Sequence, residues 1–271
     1  FELEFAGLSI DETSRAVAES LGAKRSRSTN AEHVVKDPEL GEFAVEIDWN
    51  FLKDRARFEE QDEEAMDWTL ALRALVRDLV PIEVVCPPVP ITDLDQLHPV
   101  TEALRVAGAE GTESKPWAAF GVHINAEAPD LEPETLHRYL RAYCLLQWWL
   151  VDEHDIDMAR RLSVYVDPYP EAYLHDIHTL REPSMDELIE QYLEYNPTRN
   201  RALDMLPLFA EIDETLVQNE VNDERVNARP TFHYRLPDCR IDDSTWTLAR
   251  SWNRWCTVER LAHDPEALDE L

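Results

Sequence analysis

Apolar and acidic positions alternate strictly over the first five residues, Phe1-Glu2-Leu3-Glu4-Phe5. Side chains of a strand alternate between its faces, so Phe1, Leu3 and Phe5 are expected in a core. Glu2 and Glu4 then leave together from the other face, about 7 Å apart. On a solvent face such a pair is ordinary half-buried strand. Inside a cleft, mutual repulsion would raise one carboxylate pKa unless a cation lay between the two. Next, Ser9 with Glu12 three residues on forms a capping box, and the helix it opens should run to Leu21 and stop at Gly22. Residues 33–36 and 42–49 are two β-rich runs around Asp37-Pro38-Glu39-Leu40-Gly41, which reads as a hairpin with its turn in the middle. Over 59–79, Met66, Leu70, Leu72, Ala74, Leu75 and Leu79 recur at helical spacing, with acids crowded into the first turns where the helix dipole favours them.

The pattern continues with a short β-branched strand over 81–88, closed by Pro87-Pro88 and carrying Glu83 in otherwise apolar company. A helix is expected over 93–107. Residues 117–126 alternate again, with Phe120, Val122 and Ile124 on one face and Ala119, Gly121, His123 and Asn125 on the other. Helices should follow over 132–151, 170–179, 185–195 and 200–217, then a strand over 229–236 and a last helix over 244–261. No internal repeat and no low-complexity linker marks a boundary, so a single domain over 1–271 is expected.

Composition narrows the function classes. With 271 residues and 44% hydrophobic content the chain can bury a full core. Its 56 acidic against 26 basic residues give a net charge of −30, which argues against a nucleic-acid partner, because a phosphate backbone demands clustered Lys and Arg. The bases are mostly arginines, beside Lys24, Lys36, Lys53 and Lys115. Guanidinium forks suit carboxylate and phosphate recognition. Cys86, Cys144, Cys239 and Cys256 lie far apart with no CxxC spacing and read as reduced core residues. The longest apolar block, 145–151, is broken by Gln147 and too short to span a bilayer, and no basic n-region opens the chain, so a cytoplasmic protein without membrane contact is expected. The chain opens inside a strand pattern without Met, which leaves room for residues before Phe1.

Four strands carry polar side chains able to bind metal: Glu2 with Glu4, Glu83, His123 with Asn125, and His233 with Arg235. A single histidine on a strand is more often a hydrogen-bonded core or surface residue than a ligand. If these strands form one curved sheet, however, their polar faces would line one cavity. A carboxylate-rich set with some imidazole suits Mg²⁺ or Mn²⁺ rather than zinc. The chemistry this points to is metal-assisted phosphoryl transfer. Asn196-Pro197-Thr198-Arg199-Asn200-Arg201 is a further arginine-dense segment, expected just before a helix near Ala202, where a helix N-terminus and guanidinium forks would receive an anion. Pairing of these arginines with Asp204 is the plain alternative. No GxxxxGK[ST] loop is present.

The succession FELEF, IEVVCPP, FGVHIN, NPTRNRALD and RPTFHYRLP resembles the putative amidoligase family over nearly the whole chain. That family is a branch of the carboxylate-amine ligases that includes glutamine synthetase and γ-glutamylcysteine ligase. The resemblance implies an α+β fold in which a curved, mainly antiparallel sheet flanked by helices lines the active-site cavity, as in a glutamine synthetase-like catalytic domain. It implies that ATP phosphorylates a carboxylate and that an amine displaces phosphate from the acyl phosphate. By this resemblance Glu2, Glu4, Glu83, His123 and His233 are metal ligands and Arg235 is catalytic. Asn125, Arg199, Asn200, Arg201 and Arg229 contact substrate or phosphate. Relatives carry Glu-x-Arg where this chain has His233-Tyr234-Arg235, and often HxH where it has His123-Ile124-Asn125. The implied partners are a small-molecule or peptide carboxylate and an amine donor. Two other readings fit the residues: a metal-dependent hydrolase that needs no ATP, and a non-catalytic acidic interaction protein on the same fold.

Overall fold

The hydrophobic alternation of the N-terminal third folds as an antiparallel sheet with helices packed on it. The computed structural model describes residues 1–27, 29, 31–47, 81–112, 114, 120–161, 166–223 and 225–271. The helix expected over 59–79 and the last residues of the strand over 42–49 lie outside the described residues. Two compact units divide the chain, Phe1–Val122 with Asp238–Ala249, and His123–Pro237 with Arg250–Leu271.

In the first unit, β1 (Glu2–Phe5), β2 (Lys24–Arg27), β3 (Glu32–Asp37), β4 (Gly41–Ile47) and β5 (Ile82–Val85) stand in the order β2-β3-β4-β5-β1, every pairing antiparallel. Leu3, Phe5, Val35, Phe43, Val45, Ile82 and Val84 fill one face and are buried. Helix α1 (Ile10–Leu21) closes that face, packing on β3 and on α2 (His98–Ala107). Its capping box is formed by Ser9 and Glu12, and it ends at Gly22 in the left-handed conformation, φ 64°, that glycine adopts without strain. β2 has no apolar alternation to announce it. As the edge strand KRSR it presents cations at an open ladder, a common guard against edge pairing. The helix expected over 93–107 is two elements: a 3-10 turn over Ile91–Leu97 and then α2. Pro99 explains the break, because its ring and missing N–H let it start an α-helix but not continue one.

The second unit contains β6 (Val122–Glu127), all but its first residue, with β7 (Leu203–Asp204) and β8 (Thr231–Tyr234), ordered β6-β8-β7 and again antiparallel. Its helices are α3 (Pro133–Glu153), α4 (Met158–Arg161), α5 (Glu171–Thr179), α6 (Met185–Tyr195), α7 (Leu206–Ile212), α8 (Glu214–Val221), α9 (Leu248–Ala262), which starts two residues before this unit resumes, and α10 (Pro265–Glu270). Ile124, Ala126, Phe232 and Tyr234 form the apolar face of the strands. Tyr139 of α3 stacks on Phe232 at 4.5 Å, and the buried indole of Trp255 from α9 lies 5.6 Å from Phe232 and 5.3 Å from Tyr234. The continuous helix expected over 200–217 is not formed. Leu203 and Asp204 pair with β8, and Pro207 permits a helix to begin only at Leu206. Asp213 then caps a separate helix by accepting from the Leu216 N–H at 2.9 Å.

Candidate functional site

In the first unit the register lines up carboxylates. Glu4 stands directly opposite Glu83, Glu83 opposite Glu46, and Glu46 opposite Glu32, a row of four glutamates across β1, β5, β4 and β3. Residues directly opposite in an antiparallel ladder project from the same face with Cβ atoms about 4.5–5.5 Å apart. Glu2 shares that face with Glu4. Carboxylate oxygens of Glu4 and Glu83 come within 4.8 Å of each other, a span that one cation with bonds of about 2.0–2.6 Å can bridge. Glu4 is held in place: its backbone N–H donates to the Gly121 carbonyl at 3.0 Å, and its Oε2 accepts from the Gly121 N–H at 2.8 Å. Burial pushes the Glu46 carboxyl above the usual carboxylate range, and the charges of Glu32 and Glu2 add to the effect.

In the second unit a second polar row crosses three strands. Asn125 lies opposite His233, and His233 opposite Asp204. His123, two residues from Asn125, has its ring 5.2 Å from that of His233 at an interplanar angle of 81°, and a nitrogen of one lies within 4.8 Å of a nitrogen of the other. Both imidazoles are buried, and Asp204 is fully so. The His233 Nδ1 is 3.4 Å from Asp204 Oδ2, while the other oxygen of Asp204 accepts from the Leu206 N–H at 3.0 Å. Asp204 thus uses both oxygens on His233 and the Leu206 N–H, and it acts on Arg199 only through its charge.

The arginines fall into three settings. Arg229 donates through Nε and Nη2 to Asn125 Oδ1 at 3.0 and 2.9 Å, so Asn125 and Arg229 act as one unit. Arg235 donates from its guanidinium to the Arg199 carbonyl, and the Nε atoms of both residues are buried without a hydrogen-bond partner. Among the described residues neither has a carboxylate within ion-pair distance. Burial lowers the pKa of Arg199; Asp204 opposes that shift, while Arg235 and Arg225 add to it. Two guanidinium charges that act on each other without a carboxylate partner among the described residues suit an anion. Arg201, in contrast, donates to the Pro168 carbonyl at 2.7 Å and the Tyr195 carbonyl at 3.1 Å and ties loops together. The carbonyl of Asn200 accepts from the Asp167 N–H at 2.8 Å. The helix N-terminus expected beside Asn200 and Arg201 is absent: the segment pairs at a parallel bridge between Asp167 and Arg201 and runs into β7. What supports an anion there is the Arg199–Arg235 pair.

The structure thus brings Glu2, Glu4 and Glu83 onto one face in the first unit, and His123, Asn125, His233 and Arg229 together in the second. The sequence reading does not single out Glu32, Glu46 or the buried Arg160, and it names Asp204 only as a partner for the arginines. Arg160 donates to the carbonyls of Arg235 and Leu236 and so fixes the chain just after β8. The hairpin turn could have signalled Glu46 opposite Glu32. Its place beside Glu83 depends on a pairing between β4 and β5 that no local pattern announces.

Three of the four cysteines are buried free thiols, as their spacing suggests, whereas Cys256 is half-buried. Burial pushes the Cys86 thiol up to about 11. Among the described residues no helix is long and apolar enough to cross a membrane.

The first unit gathers three carboxylates on one sheet face, and the second two imidazoles with nitrogens within 4.8 Å of each other; oxygen and imidazole donors of this kind fit a hard divalent cation. No curated protein sequence and no solved structure matches the chain. A family model described as a putative amidoligase enzyme does match it, over residues 1–257, and so the chain whose strands carry these carboxylates, imidazoles and arginines belongs to that family.

Proposed function

We propose that the protein is an ATP-dependent carboxylate-amine ligase acting as a single catalytic domain of the glutamine synthetase-like type. A carboxylate is phosphorylated by ATP, and an amine then attacks the acyl phosphate, forming the amide and releasing phosphate. The observation that carries this reading is the register that sets Glu4 against Glu83 in a chain of the amidoligase family, because opposed carboxylates with oxygens within 4.8 Å call for a cation. Glu2, Glu4 and Glu83 of the first unit would hold Mg²⁺ or Mn²⁺, and so would His123 and His233 of the second; a cation so held would neutralise the nucleotide phosphates.

The remaining work falls to arginines. Arg235, with Arg199 beside it, supplies guanidinium charge to the phosphoryl group as it transfers, in a setting where burial strengthens each hydrogen bond. Arg229 and Asn125, hydrogen-bonded to each other, present a fixed polar pair to the substrate. Arg201 and Asn200 shape the loop that carries Arg199. A cytoplasmic location accords with the buried free thiols.

The test is ADP release from ATP with pooled amino-acid, peptide and small-amine substrates, with products followed by mass. Release that needs both a carboxylate and an amine, with an amide product, supports the ligase. Hydrolysis of a substrate at equal rate with and without ATP would instead establish the metal-hydrolase reading.

A further inference from the structure

We propose that Asp204 is a positioning residue that fixes the ring proton of His233 on Nδ1 and so presents Nε2 as the ligand nitrogen; this rests on the reading of His233 as a metal ligand. The two residues are directly opposite in the β7–β8 ladder, so the backbone register holds them as neighbours on one face. Asp204 is fully buried and its two oxygens have separate tasks. Oδ1 accepts from the Leu206 N–H at 3.0 Å, and Oδ2 faces His233 Nδ1 at 3.4 Å. The first bond prevents the carboxylate from turning. A neutral imidazole beside a fixed carboxylate oxygen places its proton on the facing nitrogen, since two acceptors cannot face each other in a buried site. The lone pair then lies on Nε2. An imidazole whose other nitrogen donates to a carboxylate is also the more basic ligand, and the pair together brings one negative charge to the cation.

The same geometry predicts what Asp204→Asn does. The Leu206 N–H retains the amide oxygen, so the amide nitrogen takes the place of Oδ2 and points its hydrogens at Nδ1. Nδ1 must then accept, the proton moves to Nε2, and that nitrogen can no longer bind metal without losing it.

Ring ¹⁵N spectra of the metal-free protein at pH 8, together with Mn²⁺ binding measured by electron paramagnetic resonance, test this. The expected results are an Nδ1–H tautomer at His233 in the unaltered protein, and in Asp204→Asn an Nε2–H tautomer with Mn²⁺ affinity lower by about 10–100-fold. In a His233→Glu background, where the ligand has no tautomer, Asp204→Asn should change Mn²⁺ affinity by less than about 3-fold. An Nε2–H tautomer in the unaltered protein overturns the proposal without requiring any variant to fold. Equal loss of affinity in both backgrounds overturns it too, because Asp204 would then be acting through the fold alone. An Nδ1–H tautomer in a protein that binds no Mn²⁺ removes the metal from His233 and with it the purpose assigned to Asp204, a failure told apart from the others by the correct tautomer.

Discussion

Glu83 stands directly opposite Glu4 in the β1–β5 ladder, with carboxylate oxygens of the two within 4.8 Å. Like charges placed this way destabilise a sheet by about 0.2–1 kcal/mol when nothing lies between them. Glu83→Gln should therefore raise the melting temperature of chelator-treated protein by roughly 1–3 °C; if a divalent cation bridges the pair as proposed, the variant should also melt with little response to Mg²⁺ or Mn²⁺. Thermal melts with chelator and with each cation check both halves. A variant that melts lower in chelator and keeps its response to cation would show that Glu83 is a structural residue.

Much of the strand content was legible, because half-buried antiparallel strands declare themselves by alternation. Glu2 and Glu4 flank the buried Leu3, and Glu83 lies between the buried Ile82 and Val84, as their neighbours imply. The helix capped at Ser9 was equally readable from its capping box, and the one over 185–195 from its periodicity; the structure adds that Ser184 and Glu187 form a capping box there too. What local pattern misjudged was the stretch after Arg199. Leu203, Met205, Leu206, Leu208 and Phe209 are apolar enough for a helix, yet pairing with β8 claims Leu203 and Asp204 first. The role of Asp204 is invisible without that pairing: in sequence it lies 29 positions from His233.

The return of residues 238–249 to the first unit depends on Gly111. A Cβ there would stand 2.2 Å from the Cys239 carbonyl oxygen and 3.1 Å from the Ile241 nitrogen, both backbone atoms that cannot swing away. The neighbouring Thr112 N–H donates to that same Cys239 carbonyl at 2.9 Å, and the Cys239 N–H donates to the Phe120 carbonyl at 3.0 Å. Gly111→Ala should cost about 1–3 kcal/mol through forced backbone movement. Urea denaturation measures it, and an unchanged midpoint would show that the segment can shift at no cost.

Stability should fall on mild acidification through His137. Its Nε2–H donates to the Ile177 carbonyl at 2.9 Å, and burial holds its pKa below the usual 6.5, with Arg141 and Arg181 adding to the effect and the Ile177 bond opposing it. His178 is lowered by its own burial and by Arg141 and His137. For a group whose folded pKa lies below its unfolded value, the unfolded chain binds more protons between the two. The stabilisation is complete above the unfolded pKa and is lost as pH falls below it. His137→Gln retains a donor for Ile177 and does not titrate. Its melting temperature should drop less between pH 7.5 and 5 than that of the unaltered protein, and His137→Gln with His178→Gln should drop less still. Parallel curves for all three would refute the assignment.

Arg235 is placed so that one substitution can tell a role in turnover from a role in folding. Its backbone is fixed by others: the N–H donates to the Ala202 carbonyl at 2.8 Å, and its own carbonyl accepts from Arg160. Packing on either side comes from the fully buried Tyr234 and from Leu236. The guanidinium reaches the Arg199 carbonyl and has no carboxylate partner among the described residues, so no ion pair is lost when it changes. Arg235→Lys keeps the charge and surrenders the planar fork. If the fork stabilises charge on the transferring phosphoryl group, turnover should fall at least roughly tenfold, about 1.4 kcal/mol of transition-state stabilisation, with the melting temperature within about 2 °C of the unaltered protein. Steady-state ADP release and a thermal melt on the same preparation give both numbers. A lower melting temperature with unchanged activity in the folded fraction would make Arg235 a brace for the Arg199 loop, and the site would have to find its phosphoryl contact elsewhere.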